Sequence, residues 1–453
     1  MKLGTRPYSI QEIASICQAT VVRPTNSKIT SISTDSRNME QGSLFFALQG
    51  GLCDGSRYLA QAQTGGAICA VVSRTHLSEA LQNCSLPLLV VDDSLLALQR
   101  LGAVYLRQFH DVHYVGITGS CGKSTTKEAV AAILEQMGRT VKTPGNLNSE
   151  IGLPLSVFQV SEQTRYGVFE MGVDHVGEMG RMLSVVQPEV GILTNIGLSH
   201  LEKFGTQKVI AHEKGQLFHQ DIKAGFITSD CIFANQIQKE NHIVLEKYSL
   251  SDIEAHDCGL NGWNLSLGKN RFHVNCVGKH LLLDIIGAVK ACRFMGASDN
   301  QIAQALEGFV PMEGRATIIR GRVTIIEDCY NASLDSTRSI LDYMGKLFWY
   351  GQKKVVLGPM KELGSASKKA HLEVARHILS SNIQTAFLYG AEMYDAYKLL
   401  QDSCYHGALS FTEDFDQLTR DVSNSVDKGD LFLVKGSHSA SMERLIPVLR
   451  NAG

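Results

Sequence analysis

The stretch that decides the fold is Val112-His113-Tyr114-Val115-Gly116-Ile117-Thr118-Gly119-Ser120-Cys121-Gly122-Lys123-Ser124-Thr125. The apolar run Val112 to Ile117 predicts a strand, and the pattern from Ser124 to Met137 predicts a helix that ends at Gly138. A glycine-rich turn joins the two. That order is typical of phosphate binding, because glycines let backbone N–H groups approach phosphate oxygens at a helix N-terminus. The sequence therefore predicts that the chain binds a nucleoside triphosphate.

The turn itself carries candidate binding residues. Ile117 stands where the longer phosphate loop has glycine, so this is the shorter Gly-x-x-Gly-Lys-Ser form. The Lys123 ammonium would neutralise phosphate charge, and the Ser124 hydroxyl could hold a magnesium ion. The predicted nucleotide contacts of the turn are Gly119, Ser120, Gly122, Lys123, Ser124 and Thr125.

Composition excludes several classes of protein. The 453 residues are 44% apolar and 19% charged with a net charge of −2, which gives no reason to expect nucleic acid or an anionic membrane as a partner. The sequence has no run of about 18 apolar residues and no apolar signal region at its start. Eleven cysteines without a Cys-x-x-Cys pair indicate reduced thiols. These features predict a cytoplasmic protein.

The chain divides into three blocks in which strand and helix patterns alternate. Such alternation predicts an α/β fold with mostly parallel sheets. We expect a smaller N-terminal α/β domain over 1–92, a central P-loop-type mononucleotide-binding domain over 93–312, and a Rossmann-like C-terminal domain over 313–453. A β-rich embellishment is predicted over Ser249 to Val277, around Trp263.

Three polar residues follow predicted strands, where ligands bind in open α/β sheets. Glu170 ends one strand, His200 follows the next by a short loop, and Asp328 ends a strand of the third block. Carboxylate and imidazole groups beside a phosphate loop could ligate Mg²⁺, directly or through water. The alternative, that each is an ordinary surface residue in a loop, stays open.

Several strings together resemble those of the Mur ligases, the ATP-dependent amide-forming enzymes of peptidoglycan precursor synthesis. They run in order along essentially the whole chain: Thr34 to Arg37, Gly42 to Leu48, Asp54-Gly55, Ile117 to Glu128, Gly145 to Pro154, Phe169 to Gly172, His200-Leu201-Glu202 with Lys214, Gly314-Arg315, Asp328 to Ala332, Leu357 to Gly364 and Lys435 to Ser437. Within the family, the strings are similar to those of the branch that adds D-alanyl-D-alanine to a UDP-N-acetylmuramoyl-tripeptide. The Asp-Asn-Pro-Arg string of the branch that adds the third residue is missing.

The resemblance implies a chemistry for the site. ATP would phosphorylate a substrate carboxylate, with Lys123 on its phosphates and two Mg²⁺ sites. Ser124 and Glu170 would hold the first ion and His200 the second, with a carbamylated Lys214 supporting it. A helix-surface lysine with a solvated ammonium is the alternative for Lys214. From the third domain, the resemblance implies nucleotide contacts by Arg315, Asp328 and Asn331, completed when that domain closes.

The resemblance also implies substrate contacts and a monomer. Ser36 and Arg37 would contact the UDP group, Asn146 and Asn148 the phosphates or the muramoyl group, and Lys435 and Ser437 the incoming dipeptide. Leu281 and Asp284 stand where the family has two adenine-contacting asparagines, so we expect looser base recognition.

Three other interpretations stay open. They are the third-residue-adding or a folate-type ligase of the same superfamily, a nucleotide-binding regulatory protein, and an inactive relative.

Overall fold

The computed structural model describes residues 1–50, 54–403 and 405–451. The first part of the chain forms a five-stranded sheet in the order β2-β7-β6-β5-β4, parallel except for β2, beside a short β1-β3 pair. Its elements are β1 Tyr8–Ser9, α1 Ile10–Cys17, β2 Thr20–Val22, β3 Lys28–Ile29, β4 Ser31–Ser33, β5 Ser43–Phe46, α2 Leu59–Gly65, β6 Ala67–Ser73, α3 Leu77–Asn83, β7 Leu88–Val91 and α4 Ser94–Leu106.

The middle of the chain forms a fully parallel six-stranded sheet in the order β13-β12-β11-β8-β10-β9. Its elements are β8 His113–Thr118, α5 Lys123–Glu135, β9 Thr140–Lys142, α6 Gly152–Val157, β10 Tyr166–Glu170, α7 Glu178–Val185, β11 Val190–Leu193, α8 Leu201–Phe204, α9 Gln207–Gly215, β12 Ala224–Thr228, α10 Ala234–Asn241 and β13 Glu246–Tyr248. The near-continuous apolar character of the four inner strands β12, β11, β8 and β10 fits a sheet covered by helices on both faces.

The strand order reverses beside β8, which is where open α/β sheets bind ligands. Strand β10 lies on one side of β8 and β11 on the other. Their register sets Glu170 opposite Ile117 and Leu193 opposite Thr118. The loops after all three strands therefore meet at one edge of the sheet.

An antiparallel three-stranded sheet and two helices complete the middle part of the chain. They are β14 Glu254–Asp257, β15 Trp263–Leu267, β16 Asn270–Val274, α11 Lys279–Phe294 and α12 Asp299–Leu306. The predicted β-rich embellishment over Ser249 to Val277 is confirmed. Helix α11 packs along α5 through its apolar side chains, so its N-terminal turn lies close to the phosphate loop.

The last part forms a second six-stranded sheet in the order β17-β18-β22-β19-β20-β21, parallel except for β17. Its elements are β17 Thr317–Arg320, β18 Thr324–Asp328, α13 Leu334–Lys346, β19 Lys353–Leu357, α14 Ser367–Ser380, β20 Thr385–Tyr389, α15 Tyr394–Asp402, β21 Ala408–Thr412, α16 Phe415–Asn424, β22 Leu431–Lys435 and α17 Leu445–Asn451. The predicted three-part α/β fold is confirmed.

Two large apolar cores run between these parts rather than stopping at their edges. One joins α1 and α4 to residues of the central sheet, and the other joins α11 to β18 and β19 of the last sheet. The division at 92 and 312 into separate domains therefore stays a prediction. In residues 1–50, 54–403 and 405–451, no helix combines the length and apolar character that crossing a bilayer requires.

Candidate functional site

The phosphate loop adopts a backbone that two of its glycines make possible. Gly119 has a φ of 149° and Gly122 a φ of 82°. A Cβ atom on Gly119 would lie 1.9 Å from Thr194 Oγ1, and one on Gly122 would lie 2.2 Å from a carboxylate oxygen of Asp284. The loop is fixed further by the Cys121 N–H, which donates to Asn195 Oδ1 at 2.9 Å. Helix α5 then begins at Lys123, so its free N–H groups face the loop.

Lys123 is folded back over this loop. Its Nζ donates to the carbonyl oxygen of Gly119 at 2.9 Å. Burial lowers the pKa of Lys123, the Glu170 carboxylate opposes that change, and the nearby Arg315 guanidinium adds to it. The Lys123 ammonium is therefore bonded to the loop itself, and a bound phosphate would take the place of this partner.

Ser124 and Glu170 meet as the sequence predicts. The Ser124 hydroxyl donates to Glu170 Oε2 at 2.8 Å, and Asn148 Nδ2 donates to Glu170 Oε1 at 2.6 Å. Arg315, from beyond α12, donates from Nη2 to Ser124 Oγ at 2.7 Å. Its guanidinium also lies over the Tyr330 ring, 4.1 Å from the centroid. Residues from three distant parts of the chain thus contact each other at the start of α5.

Lys127 is a residue of this site that sequence reasoning missed. Its side chain is fully buried, and its Nζ donates to the carbonyl oxygens of Thr143 and Gly145 at 3.0 and 3.2 Å. The same Nζ lies 3.8 Å from Glu170 Oε2. A lysine one turn after Lys123 in α5 was the available signal, because that spacing puts both side chains on one helix face.

His200 lies at the far side of the same cavity. It caps α8 with a φ of 59°, and its Nδ1 contacts Glu362 of the last part of the chain. Burial lowers the pKa of His200, although the Glu362 carboxylate opposes the change. The imidazole is therefore held in the neutral form, which is the form that binds metals.

Lys214 is buried rather than solvated. Its side chain is 1% exposed, and its Nζ donates to the carbonyl oxygen of Val173 at 3.4 Å. Burial lowers the pKa of Lys214 to about 7, and the positive charge of Lys123 contributes to this change. The alternative of a surface lysine with a solvated ammonium is therefore wrong.

The last part of the chain contributes a second group of predicted residues. Lys435 Nζ donates to Asp328 Oδ2 at 2.6 Å and to the carbonyl oxygen of Asn331 at 3.0 Å. All three line the cavity, together with Leu281 and Asp284 of α11. The ion pair between Lys435 and Asp328 is buried, so the Lys435 ammonium already has a charged partner.

These groups enclose one cavity of about 340 Å³ between the central sheet and the last part of the chain. That volume falls in the range of small-molecule sites, about 300–1,000 Å³. The predicted residues that line it are Ser120, Gly122, Lys123, Ser124, Thr125, Asn148, Glu170, His200, Arg315, Asp328, Asn331 and Lys435.

The remaining predicted residues, the buried Lys214 among them, do not line the cavity. Ser36 donates to Gln61, and the exposed Arg37 pairs with Asp35, both in the first part of the chain. The carbonyl oxygen of Asn146 accepts from the Asn148 N–H, and Ser437 Oγ accepts from a backbone N–H of the last part. Gly119 lies beneath the loop, where it approaches Thr194.

The donor set at the start of α5 fits a magnesium ion. Ser124 and Glu170 offer a hydroxyl and a carboxylate oxygen, which are the ligands that Mg²⁺ prefers. Water and phosphate oxygens usually complete its octahedron, and the cavity beside these two side chains provides space for them.

Cys121 lies within the loop, and its thiol has low reactivity. Its thiol faces Asn195 Nδ2 at 3.0 Å. Burial raises its pKa to about 12, and the carboxylates of Asp284 and Asp335 act in the same direction. A protonated thiol is a poor nucleophile, so Cys121 is not expected to react covalently.

Comparison with known proteins places this geometry in a family context. Three family models match: the Mur ligase family catalytic domain over residues 28–105, the Mur ligase middle domain over 117–292 and the Mur ligase glutamate ligase domain over 314–438.

Relatives and solved structures match over nearly the full length. The chain is 32% identical to the UDP-N-acetylmuramoyl-tripeptide–D-alanyl-D-alanine ligase of Treponema pallidum (strain Nichols), over 92% of this chain and 93% of that protein. It is 30% identical to the enzyme of the same name from Bacillus subtilis (strain 168), over 97% of each. A crystal structure of MurF from Acinetobacter baumannii superposes with a TM-score of 0.89 at 26% identity, covering 99% of this chain and 100% of that one.

Proposed function

This chain belongs to the Mur ligase family, and we propose that it is the ligase that joins D-alanyl-D-alanine to a UDP-N-acetylmuramoyl-tripeptide in peptidoglycan synthesis, at the expense of ATP. One observation carries the chemistry: the phosphate loop, Glu170 and His200 line a single cavity that could hold ATP phosphates. Lys214 lies behind its wall and donates to the carbonyl oxygen of Val173, which lines the cavity. The choice of substrates follows from the relatives, which match over nearly their whole length.

The reaction must make a carboxylate reactive. The γ-phosphoryl group of ATP passes to a carboxylate oxygen of the tripeptide, which gives an acyl phosphate and ADP. The amine of D-alanyl-D-alanine then attacks the acyl carbon, loses a proton, and displaces inorganic phosphate to leave an amide. Phosphoryl transfer of this kind depends mainly on alignment and charge neutralisation.

Lys123 and Arg315 supply positive charge where the phosphates would lie. Lys123 is held over the loop, and Arg315 reaches the same point from the last part of the chain. Because protein surrounds much of the cavity, each charge interacts there more strongly than it would in bulk water. Because Arg315 lies beyond α12, packing of the last part of the chain against the central sheet completes the site and excludes water from the acyl phosphate.

Ser124 and Glu170 would hold one Mg²⁺ and His200 a second. Bound there, the ions would neutralise the charge of the phosphates and the attacking carboxylate. Asn148 donates to Glu170 and so orients the carboxylate oxygen that faces Ser124. Lys127 places a positive charge 3.8 Å from Oε2 of the same carboxylate.

Lys214 would act as a carbamate. Its neutral Nζ attacks CO₂, loses a proton and becomes an anion that supports the second cation site beside His200. The burial of Lys214 and its pKa of about 7 support this role, since only the neutral amine reacts.

The substrate contacts complete the proposal. Ser36 and Arg37 would hold the UDP group on the first part of the chain, and Asn146 the muramoyl side. Ser437 would lie at the dipeptide. Lys435 would lie there too, held in place by its buried ion pair with Asp328.

A coupled assay of ADP and phosphate release tests the proposal. With UDP-N-acetylmuramoyl-tripeptide and ATP, we expect sustained release only when D-alanyl-D-alanine is also present. The matched variant Glu170→Gln keeps the size of the side chain but removes its charge, and it should lose most of this turnover. Release with UDP-N-acetylmuramoyl-dipeptide and a third amino acid would instead assign the chain to the third-residue-adding branch.

A further inference from the structure

A carboxylate of the last part of the chain contacts the histidine at the far side of the cavity. Glu362 lies in the loop between β19 and α14, and its Oε2 contacts Nδ1 of His200. The backbones meet at the same place, since the Glu202 N–H donates to the carbonyl oxygen of Glu362 at 3.1 Å. A Cβ atom on Gly364 would lie 3.2 Å from the Glu202 Cβ, so a larger residue there would press the two loops apart.

Both partners hold an uncommon backbone conformation. His200 has a φ of 59° and Glu362 a φ of 63°, in the left-handed region that non-glycine residues rarely enter. Such a conformation costs about 1–3 kcal/mol and persists only where surrounding structure holds it. Here the two strained residues face each other across the junction of the central sheet and the last part of the chain. Their mutual contact is therefore part of the surrounding structure that holds both conformations.

The contact leaves the two ring nitrogens of His200 in different situations. Nδ1 lies against the Glu362 carboxylate, but the two groups are not aligned as a hydrogen bond. An ionised carboxylate offers only acceptor atoms, so its proximity favours the ring proton on Nδ1. Nε2 is then the nitrogen with a free lone pair. A carboxylate that fixes a histidine in this way raises the basicity of its other nitrogen and sets the direction of the ring.

We propose that Glu362 is a positioning residue, which holds His200 as the Nδ1–H tautomer and so presents Nε2 as a ligand to the cavity. Because Glu362 comes from the last part of the chain, the histidine is ready only while that part packs against the central sheet. This inference rests on the proposed function, in which His200 holds a cation. It adds to Arg315, Asp328, Asn331 and Lys435 a further contribution from the last part of the chain.

The tautomer can be read directly by NMR. Protein labelled with ¹⁵N only in histidine should give His200 signals of the Nδ1–H tautomer, assigned by their loss in His200→Gln. Glu362→Ala should convert them to a mixture or to the Nε2–H form, whereas Glu362→Gln, which keeps an acceptor oxygen, should preserve the wild-type pattern. A half-buried glutamate of α14 that lies away from His200 provides the matched control, and Glu373→Ala should change nothing.

Metal affinity supplies the second measurement. Binding of Mn²⁺ to the enzyme with ADP, followed by electron paramagnetic resonance, should weaken about 10- to 100-fold in Glu362→Ala, the usual cost of losing such a partner. Glu362→Gln should lose much less. A thermal melt of each variant checks that it is folded.

The outcomes separate this inference from the proposed function. Unchanged His200 signals and unchanged Mn²⁺ affinity in a folded Glu362→Ala variant would overturn the role of Glu362. If His200→Gln binds Mn²⁺ as tightly as the wild type, the proposed cation site at His200 is wrong instead. The tautomer measurement needs no substrate, so it stands whichever peptide the enzyme uses.

Discussion

Removing dissolved CO₂ should inactivate this enzyme reversibly if Lys214 works as a carbamate. The carbamate forms from the neutral amine and decomposes when CO₂ is withdrawn. We therefore expect turnover to fall by about 10- to 100-fold in degassed, bicarbonate-free buffer, the range found when a residue supporting a metal ligand is lost. Added bicarbonate should restore it.

The burial of Lys214 determines what fraction of its amine is neutral and can react with CO₂. With a pKa of about 7, roughly half of the Lys214 side chains are neutral at pH 7. For an ordinary lysine, with a pKa of about 10.4, the neutral share at that pH is about one in 2,500. The site therefore raises the neutral, reactive fraction of this lysine about a thousandfold, which favours its reaction with dissolved CO₂. Since the neutral form grows as pH rises, carbamate content should increase between about pH 6 and pH 8.

Two measurements check this. Bicarbonate labelled with ¹³C should give a carbamate resonance in the wild type that is missing in Lys214→Ala. The matched control Lys208→Ala, at an exposed lysine of the same helix, should keep it. Turnover of Lys214→Ala should recover in part with added short carboxylates. If no labelled carbamate forms at any pH and Lys214→Ala turns over like the wild type, the reasoning is refuted.

Three further predictions follow from the same cavity. Gly119→Ala should weaken nucleotide binding and destabilise the fold by at least about 1–3 kcal/mol, because its Cβ would collide with Thr194 Oγ1; nucleotide titration and a thermal melt test this. Lys435→Met should cost about 3–5 kcal/mol in urea unfolding by leaving Asp328 buried without its cation, and adding Asp328→Asn should recover part of the loss. Burial raises the pKa of Asp284 to about 7, so its ionisation beside the phosphate loop should raise the KM for ATP as pH rises through that value. Asp284→Asn should flatten this profile, and an unchanged profile would contradict the reasoning.

Local pattern was sufficient for much of the fold. The strand before the phosphate loop and the helix after it begin and end within two residues of their predicted bounds, because apolar periodicity and glycine act over short distances. The antiparallel pairing of β17 gave no such signal, since strand direction depends on the connection and not on the strand's own residues.

The candidate site also contains residues that the sequence could predict and contacts that it could not. Glu170 and His200 could be predicted because parallel strands bring their ends to one edge. The contact of Glu362 with His200 joins loops 162 residues apart, and the carboxylate of Asp284 over Gly122 depends on how α11 packs against α5. No rule based on spacing in the sequence predicts such pairs, because tertiary packing alone determines them.

The protonated thiol in the phosphate loop bears on inhibitor design. Electrophilic warheads react with thiolates, and at neutral pH a thiol whose pKa is raised to about 12 offers almost none. A covalent drug directed at Cys121 would therefore find little to alkylate, even though the residue lines the cavity. The same chemistry protects the loop from oxidants, so the enzyme should keep its nucleotide affinity under peroxide stress.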